Sequence, residues 1–381
     1  MGANLWHPRP RRIAVFRALA LGDMLCAVPA LRALRAHAPG ARITLIGLPW
    51  AQSFVDRYCA YVDELLPFPG FPGYPEQEGA IPAFLDFLRA ARDKRFDLAI
   101  QLHGSGELTN RILALLGAKR TAGFKTGTVP FFPLAEQKAS DVPSYGKRGL
   151  SPFASPFADR DFLAWPDDLN EVRRPLALMK HLGVPLKGEH LELPITWTDW
   201  ELWEEISRRH RLLAGRFVCV HPGARLQSRR WPAARFAAVG SALAHDGWRI
   251  AVTGSKGEAA LASEVAAQIP GAIDLTGETT LGSLAAAIAK SALLVCNDTG
   301  VSHVAAAVGA PSVVVASGSD VRRWKPLDER THRVLWHDVP CRPCLHDVCP
   351  VGHGCALGVP IERVLAEARR MLDERGIRHA A

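Results

Sequence analysis

No apolar run in this chain approaches the ~20 residues that a membrane-spanning helix requires, so an integral helical membrane protein is not expected. A secretory signal is missing too: the basic "RPRR" opens directly into "IAVF", far too short for a signal core. The protein is therefore expected in the cytoplasm, where thiols stay reduced. There is no internal repeat of solenoid length and no long low-complexity tract, so neither a repeat array nor a disordered chain is expected. No G-x-G-x-x-G follows a strand and no G-x-x-x-x-G-K-[ST] occurs, so dinucleotide and P-loop proteins are poor matches. The "HGSG" at 103–106 is not G-x-S-x-G, and a hydrolase elbow is unsupported.

What is present fits a soluble globular protein of two domains. A length of 381 residues exceeds one ordinary domain. The formal charge of +8 gives a basic surface that either aids solubility or meets an anionic partner: a phosphorylated ligand, an acidic glycolipid or a membrane face. Nucleic acid is not expected, because the arginines are scattered and no recognition motif accompanies them.

Short β-branched runs alternate with Ala/Leu-rich helical stretches. "RRIAVF" (11–16), "ARITLIG" (41–47) and "FDLAIQL" (96–102) read as buried strands, with helical sequence between them. This is βαβ grammar and predicts a parallel sheet. The grammar breaks over about 126–165, which is rich in Pro, Phe, Gly and Ser and reads as a long ordered loop. The "DRD" within it, at 159–161, reads as solvated surface rather than an Asp-x-Asp metal site. After a helix near 169–183 the grammar restarts, with strands at 216–223, 248–255, 272–277, 292–300 and 311–317. The expected divisions are 1–195, 196–358 and a C-terminal helix over 359–381, opened by Pro360 and packing back on the first domain.

In open α/β sheets ligands bind beyond the carboxyl ends of the strands, and three such ends carry candidate chemistry. In "FRALALGD" (16–23), Gly22 and Asp23 sit where the first strand enters the first helix. Asp23 is either a helix cap or a general base facing a substrate. In "HPGARLQSRRWP" (221–232), Arg225, Arg229 and Arg230 either clamp a phosphate or form a solvated loop. In "CNDTGVSHVAAAVGAP" (296–311), Asp298, Thr299 and Gly300 open a helix of small residues. That start is either an anion site or a plain capped helix, and Gly309 would allow close backbone approach to a ligand.

Taken together these blocks resemble glycosyltransferase family 9, the ADP-heptose heptosyltransferases of lipopolysaccharide assembly. "FRALALGDMLCAVPALRALR", "HPGARLQSRRWPAARF", "CNDTGVSHVAAAVGAPSVVVAS" and "CRPCLHDVCPVGHGC" carry the likeness in the family's order. The last of these is most like the block of the second heptosyltransferase of core assembly. The resemblance implies the GT-B fold, two Rossmann-like halves facing a cleft, with the acceptor on the first half and the nucleotide sugar on the second. It implies Asp23 as catalytic base. It also implies a donor site built from Gly22, Arg229, Glu258, Asp298, Thr299, Gly300 and His303. Arg229 stands where the family usually has lysine and is expected to meet the departing diphosphate. Leu19 replaces a family glycine in the segment that begins at Arg17, and Arg17 is the acceptor-side candidate.

The activity so implied is an inverting transfer of a heptose, or a related sugar, from an ADP-sugar to a hydroxyl of an anionic glycolipid or surface glycan. Peripheral contact with the cytoplasmic face of the inner membrane would follow. No organic cofactor is expected, nor a catalytic metal, since cationic side chains and N–H dipoles would meet the leaving-group charge. Other readings of the same blocks are a same-fold nucleotide-sugar epimerase or hydrolase, a transferase acting on protein, and a non-catalytic binding protein. Cys341, Cys344, Cys349 and Cys355, spaced C-x2-C-x4-C-x5-C, are open to three readings: a structural zinc or iron site, free thiols, or disulfides.

Overall fold

The structure, a computed structural model, describes residues 5–74, 76–126 and 157–374. β1 (Arg12–Phe16), β2 (Arg42–Gly47), β3 (Glu64–Pro67), β4 (Leu98–Gln101), β5 (Thr121–Lys125) and β6 (Phe157–Ala164) form one six-stranded sheet in the order β3-β2-β1-β4-β5-β6. β7 (Phe217–His221), β8 (Arg249–Val252), β9 (Ile273–Asp274), β10 (Leu293–Asn297), β11 (Ser312–Ala316) and β12 (His332–Trp336) form a second, in the order β12-β11-β10-β7-β8-β9. Every pairing is parallel. Counted within itself, each sheet has the doubly wound order 3-2-1-4-5-6. Strand order reverses between β1 and β4 in one and between β7 and β10 in the other, and each reversal opens a crevice at the carboxyl ends.

The central strands are buried from end to end: Ile13–Phe16 of β1, all of β7, β10 and β11. A strand covered by helices on both faces needs apolar residues at every position, which is why these were continuous runs in the sequence. Two compact units result. The first comprises Met1–Leu19, Pro29–Asp167 and Val172–Gly188; the second comprises Ala20–Val28, Asp168–Glu171 and Glu189–Ala381. Two short segments, Ala20–Val28 and Asp168–Glu171, and the stretch 189–195 thus group with the second unit. The grouping changes at Pro29, inside the helix Leu21–His37, where the ring leaves no N–H to bond the carbonyl of Leu25.

The stretch 126–165 is not a loop throughout. Residues 157–164 form β6, while 127–156 lie outside the described residues. Asp159 and Asp161 of "DRD" sit on that strand, where Asp159 pairs with Lys125 and is 67% exposed.

The C-terminal helix Ile361–Glu374 buries Val364, Ala368, Met371 and Leu372, an i, i+4, i+7, i+8 stripe. That stripe joins the core of the second sheet with Trp231, Val295, Val313 and Leu335. Arg369 clamps Asp246, at the end of the helix Ala233–His245, through bonds of 2.7 and 2.9 Å. Over the described residues, its apolar face thus covers the second sheet. Among the described residues no helix is long and apolar enough to cross a membrane.

His332 on β12 is buried, with Nδ1 2.9 Å from Ser312 Oγ on the neighbouring strand. Burial pushes its pKa down to about 4; Asp328 opposes this and His303 adds to it. An unfolded histidine titrates near ~6.5, so below that pH the unfolded chain takes up a proton that the folded chain refuses. Stability is full above that pH and falls as pH drops towards the folded value. At pH 5 the His332 contribution to the loss should be about 2 kcal/mol. Urea midpoints at pH 7 and pH 5 should diverge in the wild type and diverge less in His332→Asn. Equal divergence in both would refute the assignment.

Candidate active site

In the second unit the reversal point is held by one side chain. Asn297, the last residue of β10, has no exposed surface. Its Oδ1 accepts the N–H of Trp231 at 2.8 Å, and its Nδ2 donates to the carbonyl of Pro222 at 2.7 Å. Pro222 follows β7 directly, and Trp231 is itself buried with its indole N–H on the carbonyl of Val359. A single amide therefore fixes both ends of the loop that carries Arg225, Arg229 and Arg230. Arg225 is exposed, and Arg230 turns back to the carbonyl of Ala224 at 2.8 Å. Arg229 is half-buried; its Nη2 is 3.4 Å from the carbonyl of Cys344, and its Nε is buried with no hydrogen-bond partner.

Beside this loop, after β8, Ser255 and Glu258 form a reciprocal cap: the carboxylate accepts the Ser255 N–H at 2.9 Å and its hydroxyl at 2.7 Å. Burial alone would raise the pKa of Glu258. The Ser255 N–H, His221, the Ser255 hydroxyl and Arg230 together hold it below the usual value instead. The other carboxylate oxygen lies over Gly223, where a Cβ would come within 2.0 Å of it. His221 is buried next to Thr253 at 3.1 Å, and burial keeps its pKa low against the pull of Glu258.

After β10, Thr299 is the N-cap of the nine-residue helix Gly300–Val308 and makes no side-chain cap bond. The first N–H groups of a helix have no intrahelical acceptor, and here no cap side chain takes them. His303, on the first turns of this helix, is buried; burial lowers its pKa, opposed by Asp298 and Glu171. Cys26 Sγ lies 3.8 Å from its Nδ1. Gly22 abuts the same helix so closely that a Cβ would fall 3.0 Å from His303 Cδ2 and 3.2 Å from Gly300 Cα. Asp23, half-buried, occupies the third position of its helix, which begins at Leu21, so the capping position is not its own. Gly309 stands at the far end of the 300–308 helix as a left-handed C-cap (φ 69°) and not at a ligand-facing approach.

The sequence pattern brought Gly22, Asp23, Asp298, Thr299, Gly300 and His303 to one end of the second unit, and Arg229 and Glu258 to the loops after β7 and β8. It missed Asn297, Cys26 and Glu171. Glu171 is buried and paired with Arg323 at 2.9 Å, in a segment with no motif.

In the first unit, Arg17 follows β1 and is buried, donating to the carbonyl of Leu102 after β4. The Ala18 N–H donates to His103 Nδ1 at 3.1 Å, which leaves the imidazole proton on Nε2, 2.8 Å from Tyr74 Oη. Burial, reinforced by Glu76, pushes the Tyr74 phenol up, so it stays protonated. His103 was not anticipated as a partner here.

Among the described residues no disulfide joins any of the cysteines. Among the described residues no three His, Cys, Asp or Glu are grouped so as to hold a metal ion. Cys341 is exposed while Cys344 and Cys355 are buried. The block is held in place by hydrogen bonds. Cys344 N–H donates to the carbonyl of Gly318 at 2.7 Å, and Arg342 reaches the carbonyls of His337 at 2.9 Å and Ala316 at 3.3 Å.

Two doubly wound parallel sheets with candidate residues at their carboxyl ends define the GT-B glycosyltransferase fold. The model of glycosyltransferase family 9 (heptosyltransferase) matches residues 136–354, and the chain belongs to that family; it is a glycosyltransferase. The family 9 glycosyl transferase of Veillonella parvula aligns with a TM-score of 0.75 at 21% identity, over 98% of this chain and 99% of that one. E. coli ADP-heptose lipopolysaccharide heptosyltransferase II gives 0.66 at 20%, over 96% and 99%. The E. coli heptosyltransferase WaaC with ADP-2-deoxy-2-fluoro heptose gives 0.60 at 18%, over 96% and 99%. At such identities the likeness establishes the fold. No curated protein matches the chain.

Asn297→Asp tests the anchoring amide. The carboxylate can still accept from Trp231 but can no longer donate to Pro222, which leaves two buried acceptors face to face. The variant should lose about 2–4 kcal/mol of stability, read as a lowered urea midpoint. An unchanged midpoint would remove Asn297 from its anchoring role.

Proposed function

We propose that the protein transfers a heptose, or a related sugar, from an ADP-sugar to a hydroxyl of a lipopolysaccharide core or other surface-glycan acceptor, with inversion. The observation that carries this reading is the packing of Gly22 on Gly300 and His303. The first turn bearing Asp23 lies against the uncapped start of the 300–308 helix. A base and an anion-binding helix start are what a transfer with a diphosphate leaving group needs in one place.

Asp23 takes the proton of the acceptor hydroxyl. The freed oxygen pair forms the new bond to the anomeric carbon on the face opposite the diphosphate. The bond from that carbon to the diphosphate oxygen breaks, and ADP departs with its electrons. An ordinary aspartate is ionised at neutral pH and needs no special activation. Charge growing on the diphosphate is met by Arg229 and by the N–H groups after Thr299. His303, kept neutral by burial, serves as a hydrogen-bond donor and not as a cation. Glu258 lines the nucleoside side of the donor with Gly223 beneath it, and Arg17 belongs to the acceptor side. The bound donor of WaaC is an ADP-heptose analogue, which supports the same donor class here. An anionic glycolipid acceptor would bring the basic chain to the cytoplasmic face of the inner membrane, where the +8 charge favours contact.

Asp23→Asn should cut turnover at least ~100-fold while ADP affinity stays within about twofold of wild type. Wild-type turnover in this variant would end the base assignment. A panel of ADP, UDP and GDP by calorimetry should show ADP preferred. Gly223→Ala, which drives a methyl into the Glu258 carboxylate, should weaken that binding about tenfold with little loss of thermal stability. Product analysis with and without acceptor separates transfer from hydrolysis or epimerisation.

A further inference from the structure

The cysteine block is tied to one particular residue. Ser228 precedes Arg229 in the short turn Gln227–Arg229 and is buried, 2% exposed. Each of its three polar groups bonds to the block. Its N–H donates to the carbonyl of Asp347 at 2.7 Å, and its hydroxyl to the carbonyl of His346 at 2.6 Å. Its own carbonyl accepts from His353 Nε2 at 2.8 Å. Since a carbonyl cannot donate, that imidazole nitrogen carries a proton. The block is in turn anchored beyond β11 by the Cys344 N–H on Gly318 and by Arg342 on the carbonyls of Ala316 and His337. A continuous set of bonds therefore runs from the second sheet, through the cysteine block, to the peptide unit that carries Arg229.

We infer that Ser228 and His353 are positioning residues, and that the block 341–355 braces the Arg229 turn so that the guanidinium is held ready for the donor diphosphate. This rests on the proposal that Arg229 meets the leaving group. An arginine on an unbraced loop would have to be ordered at each binding event, and that cost would appear in donor affinity and in turnover. The buried Arg229 Nε without a partner fits a side chain set in place ahead of its ligand.

His353 occupies a left-handed backbone position (φ 59°), which asparagine also tolerates. His353→Asn thus keeps the backbone while withdrawing the bond to Ser228. Ser228→Ala removes only the hydroxyl bond and serves as the second variant should the first fail to fold. Both, together with Arg229→Ala and the double variant Arg229→Ala/His353→Asn, would be made in the full chain. ADP affinity, kcat and donor and acceptor KM would be measured on each. His353→Asn should weaken ADP binding about fivefold and lower kcat/KM for the donor about tenfold, with acceptor KM unchanged. Ser228→Ala should show a smaller loss of the same kind. In the Arg229→Ala background, His353→Asn should cost nothing further, because it acts only through that arginine. Multiplying losses in the double variant, or wild-type behaviour of both single variants, would overturn the brace. Undiminished ADP affinity in Arg229→Ala alone would instead overturn the donor role of Arg229, a failure visible without touching the brace.

Discussion

The fully buried amide of Asn297 stands where the order of the second sheet reverses, and both of its ends are bonded. A parallel doubly wound sheet leaves a gap at that reversal, and the loops on either side have no ladder to hold them together. Asn297 supplies the missing tie between the end of β10, the turn after β7 and the buried Trp231. An aspartate could not donate and a leucine could do neither. With the loop from 222 to 231 pinned at both ends, its arginines occupy a defined arc, and Gly223 comes to rest under the Glu258 carboxylate. The donor side of the proposed reaction depends on this buried amide.

Around it, charge is managed by burial. His221, His303 and His332 are all buried with lowered pKa values, so three cations are withheld from the second unit at neutral pH. The positive potential offered to an anion then comes from Arg229 and from helix N–H groups, whose charge does not titrate in the working range. Such a site would keep its attraction for the proposed diphosphate across pH values at which histidine would gain or lose its charge.

The central strands were legible in the sequence because burial on both faces writes an unbroken apolar run, as in "IAVF" and "SVVVA". The edge strands β3 and β12 were not, because they are only partly buried and mix charges with apolar residues; β9 was read within 272–277, although only two residues form the strand. Candidate residues were legible where a glycine or acid follows an apolar run, as at Gly22–Asp23 and Asp298–Gly300. Asn297 was hidden because it reads as the polar tail of a strand, and no local pattern tells a bonded buried amide from a solvated one. Gly309 misled for the opposite reason. A glycine near a proposed ligand site suggests close approach, whereas its positive φ ends a helix. The cysteine spacing left several readings open, because spacing does not fix which thiols face one another.

Two of the three groups that grip Ser228 are main-chain oxygens, those of His346 and Asp347. Any amino acid supplies a main-chain oxygen. The brace therefore asks little of the side chain at 346, and constrains the path of the block far more than its spelling.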